Sequence, residues 1–199
     1  MTVTDISYDQ AMSRWEPDAR GRLQQAAMDL YGERGFEQTT VTEIATRAGL
    51  TERTFFRHFA DKREVLFWGS GALQELIVSA VASAPDSAAP IDAIAAALEA
   101  TDAVFAERRD SARQRQAIIT ANAELQEREL IKLASLASAI AEALRERGVT
   151  DPAASLAAEA GIAVFKIAFV RWIGDTGHPD LAQHVREALD ELKAVTAGK

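Results

Sequence analysis

Along most of this chain the apolar residues recur every third or fourth position, the spacing of one helix face, and no stretch alternates as a half-buried strand would. Leu23, Ala26, Ala27, Leu30 and Tyr31 make the first such face, with Pro17 placed for a first helical turn and Gly35 for its end. Thr40 and Glu43 have capping-box spacing, which predicts a short second helix burying Val41, Ile44, Ala45 and Ala48. Gly49 turns the chain. Thr51 is a good N-cap for a third helix whose inward face carries Phe55 and Phe59. Asp61 and Glu64 open a longer fourth helix through Val65, Leu66, Leu73, Leu76, Ile77 and Ala80.

The stretch "APDSAAP" at 84–90 predicts a loop inside a second domain. Helical spacing resumes at Ile91, Ile94, Ala95, Leu98 and Phe105, returns at Ile118 and Ile119, and runs from Leu125 to Gly148. Asp151 and Pro152 start another helix, and its apolar residues cover nearly every side: Leu156, Ile162, Val164, Phe165, Ile167, Phe169, Val170, Trp172 and Ile173. A helix apolar all round must be buried on more than one side. "GDTGHPD" breaks the chain before a last amphipathic helix through Leu181, Val185, Leu189, Leu192 and Val195. The predicted fold class is all-α.

With 199 residues, 48% of them hydrophobic, the chain can bury one large core or two small ones. Cysteine is absent, which removes disulfides and thiolate metal sites. The longest apolar stretch, "AGIAVFKIAFVRWIG", is interrupted by Lys166 and Arg171 and reads as too polar to span a membrane. With no cleavable signal read at the N-terminus, the expected compartment is the cytoplasm. The net charge of −8 argues against a general coat for nucleic acid, yet residues 42–63 hold five basic residues against three acidic ones. A local patch of that kind can serve a specific reader.

Two short helices joined by a tight glycine turn form a helix-turn-helix signature, whose second helix must expose polar side chains near its N-terminus. "TERTFFRHF" does so, with Arg57 opposite the two inward phenylalanines. The stretch 23–66, through "AAMDLYGERGF", "TTVTEIATRAGLTERTFFRHF" and the "KREVL" that opens the fourth helix, resembles the DNA-binding domain of TetR-family transcriptional regulators. Residues 1–15 lack periodicity and are expected to form a flexible arm; the resemblance implies a helix-turn-helix domain over 16–63 and a helical ligand-binding and dimerisation domain over 64–199. It implies a homodimeric repressor that leaves a double-stranded DNA operator when a small molecule binds.

By position in the family motif, Thr42 faces phosphate or base, and Thr51, Glu52, Arg53, Thr54, Phe56, Arg57 and His58 hold the recognition-helix positions. Lys62 stands at the phosphate-binding lysine. The family usually has Tyr where Phe56 stands, so that phosphate contact lacks its hydroxyl here. Glu52 is open between a cytosine contact and a charge partner for its own helix N-terminus. "RQAIITANAELQERELIK" with "AGIAVFKIAFVRWI" is similar to C-terminal domains of actinobacterial family members, among them sensors of fatty acyl-CoA, which implies an apolar or acyl-CoA-like effector. A cavity between the fourth helix and the helices of 91–147 is expected to be lined by Leu73, Ile77, Leu98, Phe105, Ile119, Leu133, Phe165 and Phe169. The dimer is expected through helices 152–173 and 179–196, with Phe169 and Ile173 facing the second copy.

Other classes fit less well. A di-iron helical enzyme needs inward Glu-x-x-His pairs, which do not occur, and no nucleophile or phosphate-loop signature is present. Asp180 and His184, with His178 near, have part of a metal-ligand pattern but no third ligand, so a surface or interface histidine is the plainer reading. A plain helical adaptor is the third class. No cofactor, metal, membrane partner or catalytic residue is expected.

Overall fold

The computed structural model describes residues 18–106, 108–177 and 180–198, and the only regular structure among them is helix. The expected arm, Pro17 and His178 lie outside these residues. The chain divides into two compact units between Trp68 and Gly69.

In the first unit, α1 (Ala19–Arg34) buries Leu23, Ala26, Ala27, Leu30 and Tyr31, and the Gly35 N–H closes it on the Tyr31 carbonyl at 3.0 Å. Helix α2 (Val41–Arg47) opens with a complete capping box: Glu43 N–H donates to Thr40 Oγ1 at 3.2 Å, and Thr40 N–H donates to Glu43 Oε2 at 2.9 Å. Helix α3 (Glu52–His58) is capped by Thr51, whose hydroxyl accepts the Thr54 N–H at 3.2 Å. Between the two, Gly49 takes φ +67°, a left-handed conformation that costs glycine nothing. Any Cβ there would also stand 2.8 Å from Arg22 Nη2. Phe36, Phe55, Phe59 and the short α4 (Glu64–Phe67) complete this small core.

The predicted fourth helix is broken. Helix α4 stops at Phe67, Gly69 turns left-handed at φ +92°, and α5 (Ser70–Ala82) starts afresh. A residue with φ in that range cannot continue a right-handed helix, and glycine is the residue that adopts it cheaply. An added Cβ at Gly69 or Gly71 would meet nothing within 4 Å beyond its chain neighbours and the helix's own backbone, so close packing against another element requires neither.

In the second unit, α6 (Pro90–Glu99), α7 (Asp102–Phe105), α8 (Arg109–Thr120), α9 (Ala123–Glu146), α10 (Ala153–Gly174) and α11 (Leu181–Thr196) follow α5. Pro90 sits in the first turn of α6, where its missing N–H costs no bond. Helix α10 lies at the centre, packed against α6, α8, α9 and α11. Its inner face is Ala154, Ala158, Ile162, Phe165, Ala168 and Trp172, at steps of three and four residues. By length and composition α10 is apolar enough to cross a membrane, with mean hydropathy 1.7, so Lys166 and Arg171 do not disqualify it as expected; the stretch 64–82 passes the same test. Its packing makes it a core helix instead.

The positions expected to face a second copy need correcting. Ile173 is buried in its own unit, and Phe169 packs its ring 5.7 Å from Phe105, 5.8 Å from Phe165 and 5.6 Å from Trp172. The large apolar residues that α10 leaves exposed are Leu156, Ile167 and Val170. Periodicity alone could not separate the two sides, because both are apolar.

Gly161 lets α6 approach α10 closely. A Cβ there would stand 2.5 Å from Ile94 Cγ2, a branched methyl that cannot swing away. Gly161→Ala should therefore lower unfolding free energy by about 1–3 kcal/mol, the usual cost of overpacking, despite alanine's better helix propensity. Urea denaturation checks it; a gain in stability would mean that α6 and α10 separate easily.

Candidate nucleic-acid interface

Phe55 fixes the orientation of α3. Its ring is fully buried and meets Phe59 at 5.5 Å and the edge of Phe56 at 5.4 Å. With Phe55 and Phe59 inward, Glu52, Arg53, Phe56 and Arg57 are all exposed. Phe56 is 55% exposed, which excludes the core position that an unmatched phenylalanine suggests.

The remaining predicted contacts divide. Thr42 and Glu52 come together: the Thr42 hydroxyl donates to a Glu52 carboxylate oxygen, tying the first turn of α2 to that of α3. Glu52 thus has a partner inside the domain, a role neither of its two sequence readings included. Thr51 and Thr54 share a hydroxyl contact of 3.0 Å at the start of α3. His58 is only half exposed and its Nε2 is buried, so that nitrogen does not point outward as its position implied. Lys62 differs most. Its Nζ donates to the carbonyls of Phe36 at 2.9 Å, Thr39 at 3.0 Å and Glu37 at 3.3 Å, and lies 4.3 Å from the Phe36 ring centre. An ammonium has three donors, so a phosphate at Lys62 would have to compete with the loop carbonyls that it ties together.

Several charges of the basic stretch are paired locally. Arg47 makes a two-pronged bond to Glu33 at 2.9 and 3.0 Å, and Arg63 meets Asp61 at 2.6 Å. Arg34 holds Glu43 at 2.8 Å. Thr40's backbone N–H, then its hydroxyl, hold the Glu43 carboxyl below its ordinary value. Burial alone would raise Asp61, but the Arg63 side chain and the backbone N–H groups of Glu64 and Arg63 outweigh it and leave it lowered. Burial, and then the Asp61 charge, push the Tyr31 phenol up, so it stays a donor, to the Lys62 carbonyl at 2.7 Å. Sequence reasoning missed Tyr31 and Thr39 as supports of this loop; Thr39 is buried and donates to the Gly35 carbonyl at 2.9 Å.

The eight residues expected to line an effector cavity are dispersed between core and margin. Ile77, Leu98, Ile119 and Phe165 are buried, and Leu73, Phe105, Leu133 and Phe169 are half-buried against the core. None lines the open groove of about 520 Å³ on the second unit, whose walls include Ala117, Thr120, Ala121, Val170, Ile173 and Gly174. His184 is not a surface histidine: it is buried, 3.5 Å from Asp175 and 3.7 Å from Glu187. Among the described residues no three His, Asp or Glu side chains are grouped to hold a metal ion.

A capped helix, a glycine turn and a second helix with an outward arginine face define a helix-turn-helix unit. Residues 23–67 match the model of bacterial regulatory proteins of the tetR family, and residues 88–197, more than half the chain, match that of the MftR C-terminal domain. The chain belongs to the TetR family. The regulator TcmR of Streptomyces glaucescens is 37% identical over 81 residues, covering 41% of this chain but only 36% of that relative. Thermus thermophilus FadR, a TetR-family transcriptional repressor solved with lauroyl-CoA, is 26% identical over 86% of this chain and 91% of its own, with a TM-score of 0.53. SmeT of Stenotrophomonas maltophilia, solved with triclosan, shares the fold at a TM-score of 0.64 and 21% identity, over 89% of this chain and 90% of its own.

Two outcomes follow from this geometry. Asp61, lowered from 3.8, adds stability that is complete above that value and is lost as pH falls through its lowered folded value. Asp61→Asn should flatten the acid side of the stability profile, measured by melting temperature against pH; an unchanged acid limb would remove Asp61 as its cause. Phe56→Tyr should tighten binding by about 0.5–1.5 kcal/mol, the net worth of one hydrogen bond, equally for operator and scrambled duplex because a phosphate oxygen carries no sequence. Titration of both duplexes at one salt concentration decides it, and a gain confined to the operator would place the ring at a base.

Proposed function

We infer that this protein is a DNA-binding transcriptional regulator, a homodimeric repressor that leaves its operator when a small molecule binds. The observation that carries this reading is the exposed face of Arg53, Phe56 and Arg57 on a helix whose other side is locked by Phe55 and Phe59. Arginine to guanine is the commonest specific base contact, and the threonines of the first turns suit phosphates or thymine methyls. Similarity to FadR and to TcmR supports it. Residues 16–63 are the DNA-binding domain in this reading, 64–199 the ligand-binding and dimerisation domain, and the site of action is the cytoplasm. The protein binds rather than catalyses.

Two recognition helices of a dimer would enter successive major grooves, about 34–36 Å apart. The ligand acts by favouring the conformation in which that spacing is wrong. Its chemistry in this reading is apolar or acyl-CoA-like, as lauroyl-CoA is for FadR. Leu73, Phe105, Leu133 and Phe169 are the better candidates to meet it, because the fully buried positions need the core to open first.

Sequencing the genomic fragments retained by purified protein, with and without acyl-CoA, tests the whole reading. A single enriched, two-fold symmetric motif is expected, and random fragments would refute sequence-specific binding. Arg57→Ala should cost about 1–3 kcal/mol of operator affinity with little change in melting temperature, since the side chain is exposed. Fluorescence anisotropy beside a thermal melt separates the two effects; equal binding by the variant would turn the DNA-facing surface elsewhere.

A further inference from the structure

Helix α2 ends in a closed turn that leaves one carbonyl over. The Leu50 N–H donates to the Ala45 carbonyl at 2.8 Å and the Gly49 N–H to the Thr46 carbonyl at 2.9 Å, the paired bonds that close a helix at a left-handed glycine. Neither bond uses the carbonyl of Ala48, a residue that is buried and therefore poorly served by water. Its donor comes from another helix: Arg22 Nη2, on α1, donates to it. Arg22 as a whole stays exposed, so the bond does not require a buried charge.

Gly49 makes room for this contact. The Cβ that any other residue would carry at 49 would stand 2.8 Å from Arg22 Nη2. The left-handed φ of +67° already favours glycine there, and the guanidinium uses the space that glycine leaves.

We infer that Arg22 is a positioning residue for the recognition helix: through the Ala48 carbonyl it holds the α2–α3 turn to α1 and so sets the angle at which α3 meets DNA. The inference rests on the DNA-binding reading and adds to it a residue outside the helix-turn-helix pair. The constraints on α3 are of different kinds. Phe55 and Phe59 decide which side faces inward, but apolar contacts are non-directional and tolerate sliding. The Thr42–Glu52 bond joins the first turns of α2 and α3, which ties the pair together without tying it to α1. The Arg22 bond does tie it to α1, and a hydrogen bond from a charged donor is directional and stronger than a neutral one. Since α1 packs against both α2 and α3, it is the frame against which the pair would otherwise shift. A base edge is read by a pattern of donors and acceptors, whereas a phosphate is met mainly as charge. A small tilt of α3 therefore costs base contacts more than phosphate contacts.

Arg22→Met keeps most of the stem and removes the donor. Fluorescence anisotropy on the full chain, at one salt concentration, compares a scrambled duplex with the operator duplex that wild type enriches from genomic DNA. The preference for the operator should fall ~5-fold or more in the variant. Loss of a charge near DNA weakens both duplexes by one factor, and loss of folded protein does likewise, so the ratio reads positioning alone. A second measurement needs no DNA: amide exchange at Gly49 and Leu50 should quicken ~10-fold in the variant, with the amides of Ala26 and Ala27 in α1 unchanged. An unchanged ratio, with both affinities intact or both lowered alike, overturns the positioning role and leaves DNA reading in place. Unchanged exchange at the turn does the same, as does a variant without a cooperative melt, which would make Arg22 a residue of the fold. A wild type that enriches no duplex overturns the DNA-binding reading and this inference with it.

Discussion

Helix α10 has more apolar surface than one side of a helix can hide, and the organisation of the second unit follows from that. Its inner residues draw α6, α8, α9 and α11 around it, with Gly161 small enough to let Ile94 approach. Among the described residues, nothing covers the greater part of Leu156 and Val170 or about half of Ile167. Leu156, Ile167 and Val170 are 67%, 48% and 59% exposed, so covering what remains of each would contribute roughly 1–2 kcal/mol, a driving force for association. A helix that is hydrophobic on two sides can thus serve as a folding core and as a contact surface.

The first unit meets a smaller version of the same constraint. A seven-residue helix has no stability of its own, so α3 exists only as Phe55 and Phe59 pin it to α1 and the rest of the small core. Pinning one side leaves the other predetermined: Arg53, Phe56 and Arg57 face outward because the phenylalanines face in. The caps at Thr40 and Thr51 and the left-handed Gly49 set where each helix begins, and the Thr42–Glu52 bond fixes one to the other. A rigid arginine face on a rigid pair of helices is what reading base edges demands.

Charge is organised more locally than a basic stretch suggests. Arg34, Arg47 and Arg63 hold neighbouring carboxylates, and Lys62 closes the loop of residues 36–39. These surface pairs add little stability singly. Their effect is to tie much of the basic stretch to carboxylates and carbonyls of its own domain, within a chain of net charge −8.

The all-α class, the caps at Thr40 and Thr51, the turn at Gly49, the inward Phe55 and Phe59, and the outward Arg57 are legible in the spacing of residues along the chain. All of these rest on interactions between residues a few positions apart, and local spacing reports them directly. The remaining features depend on contacts between distant parts of the chain. The break at Gly69 was hidden because apolar periodicity continues across it, and the positive φ appears only in the folded backbone. Phe56 could have been core or surface until α1 and α4 were in place. Position in the motif marks Lys62 for a phosphate and His58 for a contact, whereas carbonyls more than twenty residues away hold the Lys62 ammonium and packing around α3 buries one His58 nitrogen. On α10, spacing marked apolar residues without saying which side of the helix its own chain would cover, because that depends on four other helices brought together from distant parts of the sequence.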